Sequence, residues 1–570
     1  MPKHPLLDRL KPPGDRALSE ALLGVVAPAQ IVQDFRPLAE SLEWELSDWY
    51  WASEGVRPFV ENEVPFVINN NGRASENAAA CLFANCLETE ALEERIVVLE
   101  LGAGSGLFAR YFLDAFRIIC EQESRDFYDR LLYVVSDRSR RAVEQWREAA
   151  LFADHEGRVA LGVGDAMRPI ELTGLSGDRL ALSPPRAVFA NYALDVLPAA
   201  IIRAGDRGAE QLCVRTHLVA DQRLLGQYSR LSPSEAQALA NSGAPADRAQ
   251  LLPILTLLEF ETAFLAPGPN APPYVDEAIA FGAGLERLAL NYGAIRCLEE
   301  SLRLLRRDGF VLINDYGPVA RERIAAHASI QRFGSSIAIG INFPFLEARF
   351  ARQGAIVTSP DGDETRQLHA RLLSHQELRR TRDAFAHWFS RAVCEHFETP
   401  AEEARSHAAA SRYNEALENY RIAIERSPRD WQLIGQAAEF VALQLKDFGA
   451  GLELCRAALE LNPGYSAWLW NVLGDCLFCL ERFEDAHDAY LQAARIAPDD
   501  VRASFNLSYT HFQQGDFRAA LSAIARGLAQ DAAGTYRDRL LHMQQQILLA
   551  ISERALGEQD RLLKRMAVFA

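Results

Sequence analysis

The sequence predicts two architectures in series: a doubly wound α/β domain to about residue 395, then an all-α repeat solenoid from about 397 to 570. Three observations predict them. First, four apolar residues, Ile96, Val97, Val98 and Leu99, lead through Glu100 into a turn carrying Gly102, Gly104 and Gly106 that opens a helix. Second, short apolar runs alternate with helical stretches from there to about residue 314, the pattern of a parallel sheet with crossover helices. Third, Pro428, Pro463 and Pro498 recur 35 residues apart, each after an Ala-rich amphipathic helix, which is the mark of a repeated supersecondary unit.

Composition bounds the function. At 570 residues the chain holds three or four domains' worth of sequence, and 49% hydrophobic against 24% charged residues supplies ample core. The net charge of -17 is spread along the chain, so nucleic acid is not an expected partner: that ligand needs a basic surface to replace phosphate counterions. The start, Met1-Pro2-Lys3-His4-Pro5, runs into Asp8, Arg9 and Lys11 without a signal-peptide core, and the greasiest segment, 251–266, is broken by Glu259 and Glu261. A cytoplasmic protein without membrane contact is expected. Nine cysteines without a paired framework fit a reducing compartment. Cys476 and Cys479 form a CxxC inside a predicted helix with no second pair, so small core residues are expected there and no metal.

In chain order, residues 1–60 read as an N-terminal helical cover, with an aromatic helix face from Leu42 through Trp51. Residues 61–395 follow as the α/β domain. Pro65-Phe66-Val67-Ile68, a polar turn through Asn69, Asn70, Asn71 and Gly72, and a helix over 78–87 make a segment able to close over a cofactor loop. Strands are predicted at 96–101, 131–136, 160–163, 187–190 and 310–314, with helices at 107–122 and 140–151 between the early ones. The interval 203–307 has polar turns, a Pro-rich loop over 266–273 and a helix over 285–305, and is expected to be a helical insertion above the active-site edge.

The glycine turn fits a nucleotide-type cofactor, because it needs unusual dihedrals and no Cβ where a ligand lies against the main chain. Asp137 ends the second strand, where a carboxylate can accept from both ribose hydroxyls, although a surface acid opening a turn would look the same. Asp165 follows the third strand, as an adenine-edge contact or as a helix cap. The loop reads G-A-G-S-G with no clean G-x-G-x-x-G and no following lysine, which disfavours a pyrophosphate ligand. S-adenosylmethionine, with a carboxylate, a sulfonium and an adenosine, suits it better.

Four stretches, 96–106, 133–145, 189–198 and 312–317, together resemble the MidA-like family of class I methyltransferases, which includes the mitochondrial complex I assembly-factor arginine methyltransferase. Its E-x-G-x-G-x-G loop is matched by Glu100, Gly102, Gly104 and Gly106, and its acid-x-Ser with a downstream Gln by Asp137, Ser139 and Gln145. Its N-E-x-x-D-A-x-P appears as Asn191-Tyr192-Ala193-Leu194-Asp195-Val196-Leu197-Pro198, and its I-D-Y-G as Asn314-Asp315-Tyr316-Gly317. A later V-N/D-F-x-x-L appears as Ile341-Asn342-Phe343-Pro344-Phe345-Leu346. The resemblance covers about residues 60–375 and implies a Rossmann-like methyltransferase domain. Glu100, Gly102, Gly104, Gly106, Asp137 and Asp165 would bind S-adenosylmethionine, and Asn191, Asp195, Asp315 and Tyr316 would face the methyl acceptor. Tyr192 departs from the family, which has glutamate there, and so removes an acid suited to a guanidinium. Asp195 has a second reading as a helix-start residue, and Tyr316 as a packed aromatic.

The C-terminal part resembles the tetratricopeptide repeat. Its third unit carries Trp470, Leu473, Gly474, Phe483, Ala486, Tyr490 and Pro498. Tyr413, Ala416, Tyr420, Ala423 and Pro428 recur in the first unit, and Phe448, Gly451, Cys455, Ala458 and Pro463 in the second. The fourth has Phe517, Ala520 and Ile524, with Ala532 in place of the proline. Four units over about 397–534 and a capping helix over 540–555 are expected, forming a groove that recruits a protein or peptide. The expected function is S-adenosylmethionine-dependent methyl transfer to a protein side-chain nitrogen. Two rivals stay open: a non-catalytic scaffold with a decayed methyltransferase domain, and a nicotinamide-dependent enzyme on a similar sheet.

Overall fold

The computed structural model describes residues 30–60, 72–218, 225–226, 229–268, 271–333, 335–462, 464, 466–498, 500–531 and 534–568. The expectations for residues 1–29, Pro65 to Asn71, Pro269, Asn270, Pro463 and Ala532 lie outside the described residues. Two compact units are present, one ending at Phe397 and the other beginning at Glu398.

The strands of the first unit are β1 (Gln30–Pro37), β2 (Ile96–Leu101), β3 (Leu131–Asp137), β4 (Val159–Val163), β5 (Ala187–Asn191), β6 (Ala200–Gly205), β7 (Gly208–Leu218), β8 (Leu258–Leu265), β9 (Leu288–Leu290), β10 (Phe310–Tyr316), β11 (Gln331–Phe333), β12 (Ser336–Ala338), β13 (Ile356–Thr358) and β14 (Leu368–Ser374). Its central sheet has seven strands in the order β13-β14-β10-β5-β2-β3-β4. Strands β10, β5, β2, β3 and β4 pair in parallel, while β14 and β13 add antiparallel to the β10 edge. Every residue of β2 and β5 is buried, which is why these strands read as apolar runs, with Glu100 and Asn191 as their polar members, instead of alternating ones. The chain moves outward from β2 through β3 to β4 and then returns to β5 on the other side of β2. That reversal opens a crevice at the carboxyl ends of β2 and β5.

The main helices of this unit are α1 (Leu42–Glu54), α2 (Arg73–Glu88), α3 (Leu107–Gln122), α4 (Arg140–Glu148), α5 (Tyr292–Leu304), α6 (Phe343–Arg352) and α7 (Arg379–Trp388). Helix α3 buries Phe108, Tyr111, Phe112, Ala115 and Phe116, spaced three and four apart, against the sheet. Phe112 meets Phe189 of β5 at 5.3 Å and Tyr133 of β3 at 5.0 Å between ring centroids, so aromatic packing seats the helix that the glycine turn opens. Helix α4 stops at Glu148, short of the expected Leu151, because Ala150 adopts φ 50°.

The stretch 203–307 corrects the expectation of a helical insertion. It supplies the end of β6 and all of β7, β8 and β9 to a second, five-stranded antiparallel sheet, β1-β7-β6-β9 with β8 on β7. The helix expected at 285–305 is strand β9 followed by α5. The N-terminal cover is likewise part strand, since β1 pairs with β7. Long-range pairing decides these cases: β7 is sandwiched between β1 and β8, and a strand with two partners satisfies its backbone whatever its local helix tendency.

The second unit takes up the chain within α8 (Arg391–Ala409) and continues through α9 (Tyr413–Arg426), α10 (Trp431–Leu443), α11 (Phe448–Leu461), α12 (Ala467–Cys479), α13 (Phe483–Ile496), α14 (Val501–Gln513), α15 (Phe517–Gln530) and α16 (Arg537–Val568). Asp430, Asp447, Ser466, Asp500 and Asp516 each accept a first-turn N–H of the helix they precede. Repeat small residues sit at close helix crossings: a Cβ on Gly474 would lie 2.4 Å from the Tyr490 ring, so α12 and α13 approach only because residue 474 is glycine. The closing helix is longer than the expected 540–555, and buries Leu540, Met543 and Ile547. Of the CxxC pair, Cys476 is buried as expected and Cys479 is exposed.

Candidate functional site

A cavity of ≈ 290 Å³ occupies the crevice at the carboxyl ends of the central strands. Each strand end contributes: Gly102 and Gly104 after β2, Asp137 to Ser139 after β3, Gly164 to Met167 after β4, Asn191 to Ala193 and Asp195 to Pro198 after β5, and Tyr316 at the end of β10. Seven of the ten expected site residues line it: Gly102, Gly104, Asp137, Asp165, Asn191, Asp195 and Tyr316. Glu100, Gly106 and Asp315 stand behind the wall.

The three glycines of the loop have φ of 66°, 55° and 76°. At Gly102 a Cβ would lie 2.9 Å from Ala193 Cβ, and at Gly104 2.5 Å from Phe59 Cζ, so both sites need glycine for conformation and for space. Gly106 works differently. A Cβ there would meet Leu151 Cδ2 at 2.8 Å and Trp146 Nε1 at 3.1 Å, so this glycine seats α3 against α4 instead of facing the cavity.

Asp137 ties the loop together. Its Oδ2 accepts from Gly104 N at 2.9 Å and its Oδ1 from Ser139 N at 2.7 Å. Burial pushes its carboxyl up, and these two N–H groups hold it back. Asp165 accepts from Met167 N at 2.9 Å through Oδ1, a turn-forming contact that places its carboxylate on the cavity wall.

Glu100 is 1% exposed. Its Oε2 accepts from the Tyr133 hydroxyl at 3.0 Å, and burial pushes its carboxyl up to about 8, against the pull of that hydroxyl and the Asn191 amide. Asn191 accepts from Asn314 Nδ2 at 2.7 Å through Oδ1. Among the described residues Glu100 Oε1 and Asn191 Nδ2 are buried and neither makes a well-formed hydrogen bond. The Asn191 amide and the Glu100 carboxyl thus pair only loosely with each other behind the loop.

Asp195 lines the cavity, 7% exposed, and burial pushes its carboxyl up to about 7. Asp315 is fully buried directly behind it. Its Oδ2 accepts from Leu194 N at 3.0 Å and its Oδ1 from Tyr316 N at 2.8 Å, so both oxygens hold main chain. Burial and the Asp195 charge raise the Asp315 carboxyl well above the usual range. The expectation that Asp315 faces the acceptor is therefore corrected: it positions the loop that carries Asp195. Tyr192 has φ 50°, an unusual conformation for a bulky residue, which sets its ring 5.0 Å from that of Tyr316 with the hydroxyls 3.3 Å apart.

Two groups of lining residues were missed in the sequence: Asp48, Trp51, Gly55 and Phe59 from α1 and the turn after it, and Phe333, Ser336 and Ala338 from the β11–β12 hairpin. The aromatic run ending at Trp51 was a signal for the first group, without saying what it covers. Nothing local marks the second.

Residues 79–342 match the model of a family described as "Putative S-adenosyl-L-methionine-dependent methyltransferase", and 401–466, 441–500 and 471–536 match the tetratricopeptide-repeat model. Among solved structures, a Burkholderia thailandensis protein described as a "likely methyl transferase" and bound to S-adenosyl-homocysteine is 16% identical, with a TM-score of 0.40 over 66% of this chain and 97% of that one. The protein MamA is 14% identical, with a TM-score of 0.24 over 30% of this chain and 96% of that one. The peroxisomal targeting signal receptor of Kluyveromyces lactis is 33% identical over 84 residues, 15% of each chain, so the match spans a small part of that curated relative.

Proposed function

We propose that this chain, whose residues 79–342 belong to the S-adenosyl-L-methionine-dependent methyltransferase family and whose residues 401–536 are tetratricopeptide repeats, methylates a nitrogen of a protein side chain. The observation that carries the acceptor class is Asp195, a carboxylate on the cavity wall beside Tyr316 and Tyr192. A neutral nitrogen becomes cationic when it takes a methyl group, and a nearby carboxylate both stabilises that charge and accepts the released proton.

The residues present fit the cofactor. Gly102 and Gly104 bring main chain without a side chain to the cavity wall, and Asp137 and Asp165 offer carboxylates at the tips of β3 and β4. When bound, S-adenosylmethionine supplies a methyl on a sulfonium, a good leaving group for in-line displacement. The chain's own part is alignment. Asp137 fixes Gly104 and so the loop, Asp315 fixes Leu194 and Tyr316, and Asp195 takes the proton from the nitrogen.

The repeats form the recruiting part in this reading, since stacked helix pairs suit an extended peptide or a helix. A reducing, cytoplasmic setting belongs to the same reading, in keeping with nine cysteines whose spacing in the sequence shows no paired framework. The test is incubation of the full chain with methyl-labelled S-adenosylmethionine and a cell extract, followed by mass spectrometry of the labelled proteins. N-methylated side chains that disappear with Asp195→Asn are expected. Label only in carboxyl esters or small molecules would overturn the acceptor class.

A further inference from the structure

The segment 48–59 is strapped to the β3–α4 connection and to α4 itself by three contacts. Arg138 pairs with Asp48 at 2.9 Å, Ser139 Oγ donates to the Ala52 carbonyl at 3.1 Å, and Val56 N donates to Gln145 Oε1 at 3.0 Å. Ser139 and Gln145 are thus structurally one device, although in sequence they look like parts of a cofactor motif. Gly55, at φ 63°, allows the approach: a Cβ there would fall 2.1 Å from Gln145 Oε1.

What the straps hold down is aromatic. The Phe59 ring lies on Gly104 of the glycine loop, and Trp51 stands 5.6 Å from Phe59 between centroids. Trp51 Nε1 donates to Ser336 Oγ at 2.9 Å, which fixes its ring edge while the ring itself lines the cavity. Aromatic faces attract cations, and unlike a carboxylate they offer a sulfonium no competing nucleophile.

We propose that Trp51 and Phe59, held by Ser139 and Gln145, form an aromatic cover that senses the sulfonium charge, so that the site binds S-adenosylmethionine more tightly than its uncharged product, S-adenosyl-homocysteine. Product release follows from loss of that charge on transfer. Trp51 and Phe59 are the sensing residues, and Gln145 is a positioning residue acting through the main chain of Val56.

Calorimetric titration of the full chain with each ligand tests this, independently of turnover. Phe59→Leu or Trp51→Leu is expected to weaken S-adenosylmethionine binding about ten-fold and S-adenosyl-homocysteine binding about two-fold or less. Gln145→Ala should reproduce the selective loss, and Gln145→Glu should restore binding, because a carboxylate oxygen also accepts from Val56 N. Equal weakening of both ligands would reduce the cover to packing and overturn the proposal, as would unchanged S-adenosylmethionine affinity in Phe59→Leu. Wild-type protein that binds neither ligand would overturn this proposal together with the methyltransferase reading; wild-type binding with unchanged variants overturns this proposal alone.

Discussion

Asp195 and Asp315 are buried carboxylates at the ends of neighbouring strands, and their hydrogen bonds divide the work between them. Asp195 turns to the cavity, so Asp195→Asn should lower the methyl-transfer rate by about 10²-fold or more while cofactor binding, read by calorimetry, stays. Because burial raises Asp195 to about 7, its proton-accepting form grows as pH rises, and kcat/KM should climb through about pH 7 and level off above it. Asp315 spends both oxygens on Leu194 and Tyr316. Asp315→Asn leaves one of those N–H groups without its acceptor and should lower unfolding stability by about 1–3 kcal/mol in denaturant titration. Glu100 carries a pH signature of its own. Its folded-state value is raised from the ordinary 4.5 to about 8, so the folded chain holds the proton that the unfolded chain has lost between those values. The contribution is fully present below about 4.5 and is lost as pH rises through about 8. Glu100→Gln should therefore flatten the fall of the thermal midpoint across that range, and an unchanged slope would contradict the assignment.

At the scale of elements, the glycine loop was legible because its cause is local. A strand buried on both faces is apolar except where a polar residue such as Glu100 has a partner of its own, and a turn with positive φ at 102, 104 and 106 is met by glycine without strain. Gly106→Ala should leave the cavity lining intact yet strain the turn and press on Leu151 and Trp146, lowering stability more than cofactor affinity. The repeats were legible for the same kind of reason: Gly474 and Tyr490 are small and large partners at one helix crossing. Substituting alanine at 474 should destabilise the repeat unit by about 1–3 kcal/mol, seen as earlier loss of helical signal. Strands β7, β8 and β9 were not legible, since their partners lie up to about 188 positions away and turn residues between them resemble helix-breaking loops. Ser139 and Gln145 show the intermediate case: the residues were visible as a motif, while the straps they make to Ala52 and Val56 were not.

For the whole molecule, two compact units with separate cores should give two unfolding transitions in calorimetry. S-adenosylmethionine at about a hundred times its Kd should stabilise the transition of the first unit by about 2.7 kcal/mol and leave the second in place. A single transition that shifts as one would show that the units unfold together. Sequence alone carried the first central strand, the glycine loop, the acids at the ends of β3 and β4, and the repeat periodicity, because burial on both faces, positive φ and helix crossings leave their mark on neighbouring residues. Folding in three dimensions settled that Asp315 stands behind the wall while Asp195 faces the cavity, that a second antiparallel sheet replaces a helical insertion, and that the Phe59 ring lies on Gly104 with Trp51 beside it. Those facts depend on side chains brought together from segments far apart in the chain, and such meetings are set by packing and strand pairing, which no local pattern encodes.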